Sequence, residues 1–327
     1  MMNFAFQMMH FGRALEAMVE MAPTSASSDA EQWNTTLATI RGTFARQYWD
    51  AKTGSFANDT TGMQTINALA LTAGIGTKTQ RASAGKAMIA DVAGRGYALS
   101  VGAIGARVLL DTLSDLGEEG HNAALRVVLR AEFPGWGYMV ASKASTCWEG
   151  WDNETSPLYG EKGGHYHGSH NHAWLCGGVG EWVYSRLGGI LPASDGFATV
   201  KIAPKVSKTL GPAVVSTSLV TPRGVIWSNW TRGDGSTDGS IVRLSVEVPG
   251  SSAEVVLPLL GRAASAVRVT SDESEVIWDS DWGGTAAGVA ASAGVSVAVQ
   301  AAADGAEELR LQLGPGRYAF AVHDRQQ

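Results

Sequence analysis

The hydrophobic period of this chain changes once, near Pro192, and that change constrains the fold more than any single motif. Upstream, apolar residues recur at helical spacing. In "SSDAEQWNTTLATIRGTFARQYW", Ser28 and Glu31 stand at capping-box spacing, and Trp33, Leu37, Ile40 and Phe44 form one stripe. Further helical patterns run from about Met63 to Ala73, Ala82 to Val92, Tyr97 to Leu116, Glu119 to Glu132 and Asn171 to Leu187, where Gly188 and Gly189 supply a stop. The linkers are short, so antiparallel helical hairpins are the economical arrangement. Downstream the period becomes two. "IVRLSVEVPG" sends Val242, Leu244, Val246 and Val248 to one face and Arg243, Ser245 and Glu247 to the other. "GVIWSNWTRGDGS" and "LRLQLGPGRYAF" are bounded by glycine and proline turns, as strands are. Many short strands at this spacing predict an antiparallel β-sandwich. The expected domains are residues 1–192, helical, and 193–327, β-sheet. The Ala/Gly-rich stretch 283–306 fits a strand with loose flanks or an insertion.

Composition excludes several classes. The 327 residues are 45% hydrophobic and 17% charged, which is a folded chain with enough apolar material for a large core. A net charge of -6 argues against nucleic acid or an anionic membrane as the main partner. The apolar N-terminus lacks a basic region, and Phe4, Met8, Phe11, Leu15 and Met18 repeat at helical spacing, so it reads as a core helix and not a signal peptide. Asn34, Asn58, Asn153 and Asn229 sit in Asn-x-Ser/Thr sites, which permit glycosylation without showing secretion. The sequence sets no compartment. The two cysteines, Cys147 and Cys176, read as free thiols.

The chemistry concentrates between residues 136 and 176. "TCWEGWD" places Glu149 between Trp148 and Trp151, with Trp136 and Tyr138 just upstream in "PGWGYM". Indoles stack on the apolar face of a sugar and exclude water from a carboxylate, so this grouping predicts a carbohydrate pocket. Glycoside hydrolysis needs two carboxyl groups, one to donate a proton and one to activate water or attack. Glu149 is the candidate for one of them. "GHYHGSHNHAW" holds His165, His167, His170 and His172. Asp152, Glu154 or Cys176 could complete a zinc shell with them, but the stretch is loop-like and lacks a regular helical pair. No metal and no cofactor are expected. His172, directly before a helix core, is the histidine expected to face the pocket. Other catalytic templates are absent: no G-x-S-x-G elbow, no P-loop, no C-x-x-C.

Three blocks in order, "LSVGAIGARVLLDTLSDLG", "FPGWGYMVASKASTCWEGWD" and "GSHNHAWLCGGVGEWVYSRLGGI", resemble the later part of the catalytic domain of bacterial-type α-L-rhamnosidases, glycoside hydrolase family 78. "GFATVKIAPKV" through "GVIWSNW", and the late "GPGRYAF", resemble their C-terminal β-sandwich. The resemblance implies part of an (α/α)6 barrel followed by that sandwich, acting on terminal α-L-rhamnosides with inversion. It implies Glu149 as general base, His172 at the sugar beside Asn171, and Trp136, Trp148, Trp151 and Asp152 around the substrate. The family's general acid lies in an earlier Asp-Cys-Pro-x-Arg-x-Glu motif, and nothing of that pattern occurs here. At three to four turns per helix, the residues before Pro192 supply about half of such a ring. The expectation is therefore a fragment or one piece of a split enzyme. Its exposed helix faces would favour association with the other barrel half or with a second copy. The alternative is a non-catalytic carbohydrate-binding or interaction protein derived from a rhamnosidase.

Overall fold

A computed structural model describes residues 27–57, 62–151, 169, 171–233, 239–271, 276–279, 295–301 and 307–325. It divides into two compact units between Val179 and Gly180. The first holds helices α1 (Ser27–Tyr48), α2 (Met63–Thr72), α3 (Lys78–Gly94), α4 (Ala103–Ser114), α5 (Gly117–Leu129) and α6 (Trp136–Ala141), and the start of α7 (Trp174–Trp182). The N-terminal helix expected around Phe4 to Met18 lies outside the described residues, as does the side chain of Ser28.

Helix α2 packs against α3 and α4, and α5 packs against α3 and α4 in turn. Leu69, Met88, Val92, Leu109, Leu113 and Leu125 are all buried in this unit. The approach of α2 to α4 is close: a Cβ on Gly105 would stand 2.4 Å from Thr65 Oγ1. Helix α3 begins earlier than its apolar pattern suggests. Thr77 and Gln80 form a reciprocal capping box, with Thr77 Oγ1 accepting from Gln80 N and Gln80 Oε1 accepting from Thr77 N.

The Tyr97–Leu116 pattern is not one helix. Tyr97 is left-handed at φ 65°, and α4 starts only at Ala103. A buried side chain explains why. Gln64 Nε2 donates to Ala98 O (3.2 Å) and to Asp91 Oδ2 (3.2 Å), and its Oε1 accepts from Ser100 N (2.8 Å). Those bonds satisfy the backbone of an extended segment while Leu99 and Val101 bury their side chains.

In the second unit, a π-helical turn (Val183–Leu187) leads to eleven described strands: β1 (Ile190–Pro192), β2 (Thr199–Ile202), β3 (Val214–Thr221), β4 (Gly224–Arg232), β5 (Ser240–Val248), β6 (Ser252–Leu257), β7 (Val267–Ser271), β8 (Val276–Asp279), β9 (Ser296–Ala301), β10 (Glu307–Leu313) and β11 (Gly316–Asp324). They form a five-stranded sheet, β1-β2-β6-β10-β9, and a six-stranded sheet, β3-β4-β5-β11-β7-β8. Every described pairing is antiparallel except β2 with β6. The inner faces share one core that includes Val200, Val255, Leu309 and Leu311 from one sheet and Ile226, Trp230, Leu244 and Phe320 from the other. Strand β5 keeps the alternation read from its sequence, with Val242, Leu244, Val246 and Val248 buried. Part of the Ala/Gly-rich stretch is strand β9, and its flanks lie outside the described residues.

His323 on β11 gives this sandwich a pH dependence. Burial, then the nearby Arg243, push its pKa below the ordinary value; Arg268 adds to this, and a backbone hydrogen bond with Gly239 opposes it. The imidazole also contacts Thr270 Oγ1 at 3.1 Å. With the folded pKa below the unfolded one, the unfolded chain binds more protons. This contribution is therefore present above about pH 6.5 and is lost as the pH falls through the folded value. Urea midpoints at pH 5 and pH 7.5 should differ less for His323→Gln than for the parent chain.

Candidate active site

Four elements build the site. Helix α6 starts at Trp136, close against the end of α5, where a Cβ on Gly137 would lie 2.3 Å from Arg130 O. The loop after α6 carries Cys147, Trp148, Glu149 and Trp151. A second segment, at Ser169 and His172, leads into α7. Helix α7 in turn lies close on α4: a Cβ on Gly178 would come within 2.6 Å of Ala106 O.

Backbone hydrogen bonds and a disulfide help to hold the two segments together. Glu149 N donates to Ser169 O at 2.9 Å, and His172 N donates to Cys147 O at 2.7 Å. Cys147 and Cys176 are joined by a disulfide, with Cα atoms 6.0 Å apart. The expectation of free thiols is thus corrected. Residues distant in sequence meet because the hydrogen-bonded segments bring the loop alongside the first turn of α7, a contact that cysteine spacing does not reveal.

Glu149 is solvent-exposed, not enclosed by its neighbours. Its orientation is nevertheless set, because Oε2 accepts from Ser169 N at 2.8 Å. A hydrogen bond to a carboxylate is stronger than a neutral one. Oε1 has no hydrogen-bond partner among the described residues. His172 is half-buried, and its Nδ1 is buried without a partner among the described residues. A buried nitrogen left without a partner costs roughly 1–3 kcal/mol, and a ligand hydroxyl is one group that could satisfy it.

The tryptophans divide by role. Trp136 and Trp148 are 7% and 5% exposed, so they are chiefly part of the core. Trp136 Nε1 donates to Leu175 O at 2.9 Å, tying α6 to α7. Trp148 meets Tyr138 edge-on at 6.4 Å. Trp151 is half-buried, packs edge-on against Trp136 at 5.2 Å and donates to Val101 O, the extended segment before α4. The loop is therefore pinned at both ends of "CWEGW", with Glu149 turned outward between the pins. Trp136→Phe removes the bond to Leu175 O while keeping an aromatic ring. It should lower stability by about 1–2 kcal/mol in urea unfolding.

Asp152, His165, His167 and His170 lie outside the described residues. Among the described residues, no group of three or more His, Cys, Asp or Glu could hold a metal ion. None of the described helices is long and apolar enough to cross a membrane. Sequence reasoning missed two residues here. Ser169 orients the carboxylate through its backbone, which no side-chain pattern signals. Trp174 is 62% exposed, with its ring 6.1 Å from that of His172. Its position two residues after His172 was the available signal.

Residues 5–187 match the bacterial alpha-L-rhamnosidase 6 hairpin glycosidase domain, more than half of the chain. The chain belongs to the bacterial alpha-L-rhamnosidase family. Residues 189–271 match the bacterial alpha-L-rhamnosidase C-terminal domain, in keeping with the helical and β units. An alpha-L-rhamnosidase of Streptomyces avermitilis is 28% identical over 249 residues, covering 76% of this chain and 23% of that protein. One from an Alteromonas species is 32% identical over 193 residues, covering 58% of this chain and 19% of that protein. The chain thus spans only about a fifth of the length of these rhamnosidase relatives. The crystal structure of the Streptomyces avermitilis alpha-L-rhamnosidase complexed with L-rhamnose superposes with a TM-score of 0.72 at 23% identity, covering 98% of this chain and 26% of that one. The alpha-L-rhamnosidase of Aspergillus terreus gives a TM-score of 0.59 at 27% identity, covering 72% and 26% respectively. These likenesses agree with a rhamnosidase-type helical domain followed by a β domain.

Proposed function

We propose that this chain carries the water-activating half of an α-L-rhamnosidase site, with Glu149 as general base in the inverting hydrolysis of terminal α-L-rhamnosides. The observation that carries this reading is the hold on Glu149. One carboxylate oxygen is fixed by Ser169 N–H, and the other, without a partner among the described residues, can take a proton from water. The hydrogen bond from His172 N to Cys147 O keeps the imidazole beside the same loop, where it can bind a sugar hydroxyl. Trp151, and the exposed Trp174, supply indole faces for the apolar side of a deoxysugar. Trp136, Trp148 and Asp152 complete the substrate surroundings, the two tryptophans mainly by holding the loop.

The mechanism on this reading is a single displacement. Water bound at Glu149 Oε1 attacks the anomeric carbon as the bond to the aglycone breaks, and its proton passes to the carboxylate. The leaving oxygen needs a proton from a second carboxyl group. The motif that supplies it in the resemblance is absent from these 327 residues. A leaving group acidic enough to depart unprotonated removes that requirement. The test is therefore hydrolysis of 2,4-dinitrophenyl α-L-rhamnoside by the chain itself, followed by phenolate absorbance, with the first-formed sugar anomer read by proton NMR. The expected product is β-L-rhamnose. The absent acid motif also favours a second reading, a sugar-binding protein without turnover. Calorimetric binding of L-rhamnose with no phenolate release would select it.

A further inference from the structure

We propose that the solvent-facing side of the six-stranded sheet is a second saccharide-binding platform, centred on Trp227. This inference does not depend on the function assigned to Glu149. The other tryptophans described in the sandwich are accounted for by packing. Trp230 is 2% exposed and donates to Leu187 O at 2.7 Å, and Trp278 is 3% exposed and donates to Ala264 O at 3.1 Å. Trp227 is 40% exposed, and its indole nitrogen has no hydrogen-bond partner among the described residues. A large aromatic surface held in solvent on a regular strand gains nothing from the core it faces away from.

Its surroundings point to a sugar. Strand register sets Ser218, Trp227, Glu247 and Arg317 in one row across β3, β4, β5 and β11. Ser216, Asn229, Ser245 and Ala319 form the next row. The second row is short, so the indole stands clear of its neighbours. Asn229 is already oriented: its Oδ1 accepts from Ser216 Oγ at 2.8 Å and from Thr217 N at 3.1 Å, which leaves the amide Nδ2 as an outward donor. Glu247 and Arg317 pair at 3.0 Å and offer an acceptor and donors at the far edge. Val220 and Val225 flank the indole at the hairpin end and continue its apolar surface.

A pyranose presents an apolar face and a rim of hydroxyls. One stacking surface ringed by hydroxyl, amide and charged groups matches that chemistry. A protein-interface centre would be depleted in charge, which this face is not. The occupant assigned is therefore a glycan chain of pyranose units.

The test is migration of the full chain in native gels containing soluble xylan, galactomannan or rhamnogalacturonan, against an inert reference protein. Retardation is expected in at least one. Trp227→Ala should weaken the apparent affinity at least tenfold, and Trp227→Phe should restore much of it. Circular dichroism should match the parent, since the side chain lies outside the core. Two results would overturn the proposal: no retardation by any of the three polysaccharides, or equal retardation of Trp227→Ala, which would assign the binding to another part of the chain.

Discussion

Glu149→Gln should reduce hydrolysis of 2,4-dinitrophenyl α-L-rhamnoside by roughly 10²–10⁴-fold, the usual contribution of a positioned general base. The substitution keeps the shape of the side chain, and glutamine can still accept from Ser169 N–H through its carbonyl oxygen. Loop geometry and L-rhamnose binding should therefore survive, so the loss falls on kcat and leaves KM nearly unchanged. A core residue would behave differently, with stability and binding falling together. Equal turnover by Glu149→Gln and the parent would remove Glu149 from the mechanism.

Opening the Cys147–Cys176 disulfide should destabilise the helical unit by about 3–4 kcal/mol, the loop-closure value for a crosslink between residues 29 apart in sequence. The bond lies two residues before Glu149 and four after His172, so the loss should reach the site as well as the fold. The hydrogen bonds from Glu149 N to Ser169 O and from His172 N to Cys147 O are the other described backbone links between these segments. A Cys147→Ser/Cys176→Ser variant is expected to unfold at lower urea and to turn over the activated rhamnoside more slowly. The parent chain treated with dithiothreitol should do the same. A double variant with an unchanged unfolding midpoint would show that the crosslink adds nothing to the native state.

Particular residues show how far the sequence could be read. The alternation of Val242 to Val248 predicted both the strand and its buried face, because a half-buried strand writes its pleat into the chain. The helical stripe around Leu109 and Leu113 likewise survives in α4. The start of α4 was not legible. Leu99 and Val101 are as apolar as helix residues, and partners from elsewhere in the chain, among them Gln64 and Trp151, make the extended path favourable. The β2–β6 pairing joins strands separated by three others in sequence, and no local pattern encodes such a partner. At the site, residue types singled out Glu149 and His172 as candidates, which the structure places on two hydrogen-bonded segments, but did not separate buried indoles from exposed ones. Trp136 and Trp148 bury their rings and brace the loop, whereas Trp174 is the exposed one. Burial depends on which helices meet, and the sequence records that only indirectly.

On the proposed mechanism, Glu149 readies a water molecule to strike the anomeric carbon from the face opposite the leaving group. Replacing the carboxylate with a methyl opens room for an external nucleophile on that same face. Azide added to Glu149→Ala with 2,4-dinitrophenyl α-L-rhamnoside should restore phenolate release and yield β-L-rhamnosyl azide, identified by NMR. Hydrolysis by Glu149→Ala at the parent rate, with no azide dependence and no glycosyl azide, would contradict the account.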